Sequence, residues 1–245
     1  MLKAKLNSHK SDTFLTQLKN AVLDGLFPIH CLGCSTFDDW ICDKCHTTLP
    51  ILTQQHCPIC KAHDTNNGEV CPICLPKYTD SINGIFVASY YNDPILKQAI
   101  HFYKYRFAKD LSQPLALLLA QALQNSTLPS PDAIIPVPLH KRRERWRGFN
   151  QATELAKALD LQIPLITDIL LRVRYTTPQV QMKNKSKRQK NLANAFLVRN
   201  KHHITSKNIL LIDDVVTTGT TLIECARVLK DSGAKNVFCL VLARE

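Results

Sequence analysis

The sequence predicts an α/β protein in which a mostly parallel sheet, with helices on both faces, follows a small cysteine-rich module. Three observations carry this reading. Residues 31–74 hold four C-x-x-C pairs. Beyond residue 80, apolar runs of strand length alternate with segments of helical apolar spacing. Near the C-terminus, Ile209 to Thr221 (ILLIDDVVTTGTT) reads as a buried strand, a Thr-Gly turn and the start of a helix.

Phe14, Leu15, Leu18, Val22, Leu23 and Leu26 recur at helical spacing, so residues 1–28 are expected to form an amphipathic helix and leader. Its polar face is not rich in Lys or Arg, which favours packing on protein over a membrane surface. Residues 29–78 form the cysteine module. Eight thiols fall into Cys31, Cys34, Cys42 and Cys45, then Cys57, Cys60, Cys71 and Cys74. In a reducing compartment this spacing favours two tetrahedral Zn²⁺ sites over disulfides, because two thiolates two residues apart can approach one ion at about 2.3 Å. Two structural zinc ions are expected, and they would supply much of the folding free energy of so small a module. Sequential pairing is the simplest assignment; an interleaved cross-brace is the alternative. His30, His46, His56 and His63 lie close by, but eight cysteines already suffice, so each reads as a surface or thiolate-supporting residue.

The PKYTDS stretch reads as a linker, and the larger unit is placed at 79–245. GIFVASYY (84–91) is its first strand, 94–106 and 110–125 are helices, and AIIPVPL (133–139) is a short buried strand entering a Pro-bounded turn. An apolar segment at 163–171, AFLV at 195–198 and NVFCLVLA at 236–243 complete the alternation. Cys225 and Cys239 look like small core residues. In Ile209 to Thr221, Asp213 and Asp214 are placed where the strand ends. Gly219 allows a tight turn, and backbone N–H groups and threonine hydroxyls would converge on an anion at the following helix. The acids would then face a sugar diol. A Walker B-like strand is the competing reading, but no GxxxxGK[ST] loop accompanies it.

The formal charge of +11 is uneven. Residues 1–80 hold 7 Lys and no Arg against 8 acids, whereas residues 81–245 hold 24 basic against 12 acidic residues. Two segments, Lys141 to Arg147 (KRRERWR) and Arg172 to Lys190, carry nearly all of this excess, so the positive field should be focused. Trp146 and Phe149 interleave with Arg142, Arg143, Arg145 and Arg147. Base stacking beside phosphate neutralisation suits single strands bound without sequence preference; a solvated helix face is the bland alternative. Of the two aromatics, Phe149 is expected to be the more buried. No run approaches the ~20 apolar residues of a membrane span, and no leader with a cleavage site is visible, so a cytoplasmic protein is expected.

Asp213, Asp214 and the Thr-Gly turn resemble the 5-phosphoribosyl-1-diphosphate (PRPP) motif of type I phosphoribosyltransferases. With IPVPLHKRRERWRGFNQA (135–152), NLANAF (191–196) and four C-x-x-C pairs ahead of them, the chain resembles the ComF/GntX group of competence proteins from about Cys31 onward. That resemblance implies a double zinc ribbon joined to a type I phosphoribosyltransferase-like domain, and a role in handling incoming single-stranded DNA during natural transformation beside proteins of the DNA-import machinery. It implies that Asp213 and Asp214 contact the ribose hydroxyls and that Val216, Thr217, Thr218, Gly219, Thr220 and Thr221 form the 5′-phosphate loop, with Mg²⁺ accompanying the diphosphate. Pro136, Val137, Pro138 and Leu139 correspond to the diphosphate loop, with Lys141 and Arg142 as charge partners because prolines remove amides. Gln179, Lys187, Arg188 and Asn191 fall where related transferases carry a mobile catalytic loop. The expected nucleic-acid residues are Lys141, Arg142, Arg143, Arg145, Trp146, Arg147, Lys187 and Arg188. A metabolic phosphoribosyltransferase is the alternative function, and a zinc-dependent adaptor would leave the acids without a role. No catalytic residue or acceptor pocket is identified.

Overall fold

A computed structural model describes residues 29–78, 81–124, 126–175 and 194–245. The helix expected within 1–28 and the positions Gln179, Lys187, Arg188 and Asn191 lie outside the described residues. The strands are β1 (Gln55–His56), β2 (Asp64–Thr65), β3 (Gly84–Tyr90), β4 (Ala133–Pro136), β5 (Leu170–Arg172), β6 (Phe196–Val198), β7 (Asn208–Val216) and β8 (Asn236–Arg244). The α-helices are α1 (Asp43–His46), α2 (Leu75–Tyr78), α3 (Pro94–Tyr105), α4 (Ser112–Gln124), α5 (Lys141–Arg147), α6 (Gln151–Leu159) and α7 (Thr220–Asp231).

The main sheet is parallel in the order β3-β8-β7-β4. Its strands are buried on both faces, which is why they read as continuous apolar runs. Side chains alternate across the pleat. Leu210 and Ile212 join the core formed with α3, α4 and α6, and Ile209 and Leu211 join the core formed with α7. Cys225 and Cys239 are buried in the second core, as expected. Asp93 caps α3 by accepting from Leu96 N at 2.9 Å, ahead of Pro94 in the first turn.

Two expectations need correction. The apolar runs at 163–171 and 195–198 do not extend the sheet; β5 and β6 pair antiparallel in a separate ribbon, and only Leu165 bridges to Ile134 of β4. The linker reading of PKYTDS also fails in part, because the chain forms α2 and then buries Ser81 and Ile82.

The cysteine module is continuous with the sheet. Along β3, Leu52 N donates to Ala88 O, Ile85 N donates to Gly68 O, and the buried Gln55 side chain bonds both the N–H and the C=O of Val87 at 3.0 and 2.9 Å. The module also straddles the sheet: Cys31 and Cys45 join the core under α3 and α4, while Cys57 and Cys71 join the core under α7.

Candidate functional site

Strand β7 outlasts β4, and that difference opens the site. Strand β4 pairs with Ile209–Ile212 and stops at Pro136, whereas β7 runs on along β8 to Val216. From Asp213 onward, among the described residues, β7 has no strand partner on the β4 side, at the carboxyl ends of parallel strands, where such sheets bind ligands. Asp213 and Asp214 therefore sit before the end of their strand rather than at it.

The two carboxylates meet different partners. Asp214 is buried, and its Oδ1 lies 3.0 Å from Lys104 Nζ in a pair whose side chains are only 19% and 11% exposed. Val215 N also donates to that oxygen, at 2.6 Å. Asp213 Oδ1 accepts from Asp214 N at 2.9 Å. Burial, followed by the charge of Asp214, pushes the Asp213 carboxyl up to about 7. The Arg172 guanidinium of β5 attracts Asp213 from another side and is itself opposed by Arg143.

Beyond the acids, Gly219 adopts φ 77°, the left-handed region that favours glycine, and caps α7. The Thr218 and Thr220 hydroxyls lie 2.8 Å apart, and the first amides of α7 follow them, a suitable site for an anion. From the cysteine module, Lys61 Nζ donates to the Thr217 carbonyl at 3.3 Å. Next to Asp213 in the sheet, Val137 N donates to Ile212 O, so the PVPL turn borders the acids. Asn150 Nδ2 fixes that turn by donating to Val137 O at 3.0 Å. Acceptors, donors and cations thus gather around the carboxyl end of β7, an assortment suited to a ligand bearing both hydroxyls and anionic groups.

Lys141 to Arg147 form α5, which has no buried residue and begins with His140 accepting from Arg142 N at 3.2 Å. Arg142 and Arg143 lie over the Tyr175 ring at 5.1 and 5.5 Å, and Arg147 lies over Tyr105 at 5.4 Å. Trp146 is 58% exposed and sits 6.3 Å from Tyr105 and 6.1 Å from Phe107. Phe149 is the more buried of the two aromatics, packed against Tyr103 at 5.3 Å. Sequence reasoning missed Lys104, Arg172, Tyr105, Phe107 and Tyr175. The YKYRF run at 103–107 was the available signal, since it alternates aromatics with cations.

The eight thiols gather into two clusters in sequential pairing, Cys31, Cys34, Cys42 and Cys45 in one and Cys57, Cys60, Cys71 and Cys74 in the other. Within each, the ligand atoms lie within 4.8 Å of one another. Neighbouring Sγ atoms are 3.7 Å (Cys31–Cys42), 3.6 Å (Cys34–Cys42) and 3.8 Å (Cys60–Cys71) apart. A tetrahedron with metal–sulfur bonds of about 2.3 Å has edges of about 3.8 Å, so both clusters could bind a metal ion. Backbone N–H groups of Cys42 and Cys71 point at Cys31 and Cys57 Sγ, both at 3.4 Å. The Thr36 hydroxyl lowers the Cys34 thiol to about 6, and His63 lowers Cys60 to about 5. No histidine joins either cluster: His63 Nδ1 lies 3.4 Å from Cys60 Sγ, while His46 Nε2 lies 2.9 Å from the Pro114 carbonyl.

Sheet and site together define a phosphoribosyltransferase-like domain, and the family model described as the phosphoribosyl transferase domain matches residues 116–245. Relatives extend the likeness into the cysteine module. Competence protein F of Haemophilus influenzae is 33% identical over 223 residues, covering 88% of this chain and 96% of that protein. DNA utilization protein YhgH of Escherichia coli (strain K12) is 34% identical over 192 residues, covering 75% and 82%. Competence protein ComFC of Bacillus subtilis is 28% identical over 218 residues, covering 85% of each. The chain belongs to the ComF family of phosphoribosyltransferase-fold proteins. Among the described residues, no helix is long and apolar enough to cross a membrane.

Proposed function

We propose that the end of β7 beyond β4 binds PRPP and that the chain handles incoming single-stranded DNA in natural transformation; relatives named as competence proteins support the competence role. Asp213 and Asp214 take the ribose hydroxyls, and Val216 to Thr221 take the 5′-phosphate. Pro136 to Leu139, with Lys141 and Arg142, border the diphosphate, which brings Mg²⁺ as part of the ligand. The exposed α5 and its aromatic neighbours hold the strand, with phosphates on the arginines and bases on Trp146. The two thiol clusters hold one structural zinc ion each, in a module over 29–78 that serves the larger unit from 79 onward. The chain acts in the cytoplasm beside DNA-import proteins.

The observation that carries the ligand reading is the placement of Asp213 and Asp214 where β7 runs on beyond its pairing with β4, six residues from Asp214 to the first residue of a helix reached through a threonine-lined turn. Calorimetry with PRPP and Mg²⁺ tests it. Heat of binding is expected in the unmodified protein and lost in the Asp213→Asn, Asp214→Asn double variant; absence of heat in the unmodified protein would remove the reading. For the strand, affinity for an oligothymidine should fall with salt at a log–log slope of about −0.7 per neutralised phosphate. Replacing Arg142, Arg143 and Arg145 by Ala should flatten that slope.

A further inference from the structure

Lys104 and Tyr105 are consecutive, yet they serve two surfaces. Lys104 is mostly buried against Asp214 at 3.0 Å. Tyr105 is 44% exposed, with Arg147 over its ring at 5.4 Å and Trp146 at 6.3 Å. The last turn of α3 that carries both is tied to the basic helix by a third residue. Tyr103 Oη donates to Gln151 O at 2.9 Å, Gln151 Nε2 returns a bond to Tyr103 O at 3.3 Å, and Arg147 Nη1 donates to Gln151 Oε1 at 3.0 Å. Arg147 therefore grips this turn through the Tyr105 ring and through Gln151, and its Nε is buried with no hydrogen-bond partner among the described residues. On the other side of the acids, Arg172 attracts Asp213 and repels Arg143, whose guanidinium lies over Tyr175. Cations of the two surfaces thus stand next to one another on both sides of the acid pair.

We infer that the phosphosugar site and the strand surface are negatively coupled through the end of α3, so that an anionic ligand on the acid-pair flank weakens binding of single-stranded DNA, and the strand weakens the ligand. This rests on the proposed reading of both sites. Two physical effects give the sign. An anion on the flank cancels part of the positive potential that draws the strand, over a range of about 10 Å at ordinary ionic strength. It also draws the Lys104 ammonium away from Asp214, which disturbs the turn that holds Tyr105 against Arg147 and Trp146. Linkage makes the two effects on affinity equal.

The test is fluorescence anisotropy of a labelled oligothymidine at fixed Mg²⁺ and ionic strength, with and without saturating PRPP, and calorimetry of PRPP with and without the oligonucleotide. PRPP should weaken the strand about five-fold or more, the lower end of ordinary coupling, with the same factor in the reverse titration. Tyr105→Leu should retain PRPP binding while reducing the factor to the part that the cancelled potential supplies, and Lys104→Gln should reduce it as well. Equal or tighter strand binding with PRPP overturns the coupling. So does an undiminished factor in both variants, which would mean that the field or direct competition for Arg142, and not the end of α3, links the two ligands. Failure of the unmodified protein to bind either molecule would instead sink the proposed function and this inference with it, whereas independent binding of both sinks the coupling alone.

Discussion

Asp213 should make the protein less stable as pH rises, and replacing it by Asn should remove that loss. The carboxyl sits beside Asp214, and burial holds it near 7 rather than at the ordinary 3.8. A carboxyl raised in the folded state binds more protons there than in the unfolded chain, so the stability it contributes is fully present below 3.8 and disappears as pH climbs through about 7. If Asp213 titrates alone, the difference amounts to about 4 kcal/mol, and to about half of that if the proton is shared with Asp214. Asn keeps the oxygen that accepts from Asp214 N but carries no charge to desolvate. Urea unfolding of both proteins at pH 5, 6, 7 and 8, without added Mg²⁺, measures the gap. The variant should be more stable by about 2–4 kcal/mol at pH 8, with the gap shrinking steadily toward pH 5. A gap that ignores pH, or an unmodified protein that is the more stable at pH 8, would refute the reasoning.

Four further outcomes can be measured. Elemental analysis should return about two metal ions per chain, given four thiols for each tetrahedral ion. Stripping them with a chelator should collapse the near-UV circular dichroism of the whole protein, because Cys31, Cys45, Cys57 and Cys71 belong to the two cores of the sheet. Gly68→Ala should destabilise by about 3 kcal/mol in urea, since Gly68 has φ 67° and a Cβ there would lie 1.9 Å from Ile85 O. Gly219→Ala should lose only about 1–2 kcal/mol in the same measurement, because φ is 77° but the nearest atom to a new Cβ is Ile85 Cδ1 at 3.5 Å; the altered turn should nonetheless weaken PRPP heats.

Local pattern carried most of the architecture. IFVAS, AIIP, ILLIDDVV and NVFCLVLA announced four buried strands because burial on both faces leaves an unbroken apolar run. The thiol pairs were legible for a similar reason, since a knuckle places two ligands within four residues. What stayed hidden depends on contacts between distant positions. The segments 170–172 and 196–198 looked like strands of the main sheet, but they pair with each other, and no local property states which edge a strand joins. Lys104 lies 110 positions before Asp214 in the chain and reads as one more exposed lysine on an amphipathic helix until α3 packs on the sheet. Arg172 comes to Asp213 through a ribbon outside the sheet altogether.

The Gln55 amide, bonded to both polar groups of Val87, does what an additional strand would do: it occupies the outer border of β3. Border strands left bare recruit strands from other molecules, and GIFVASY is apolar enough to do so. A fragment trimmed to begin after Cys74 would carry that border uncovered and should self-associate on expression. The natural unit for biochemistry is therefore the chain with its cysteine module intact, and a missing activity in a shortened version would report clumping rather than chemistry.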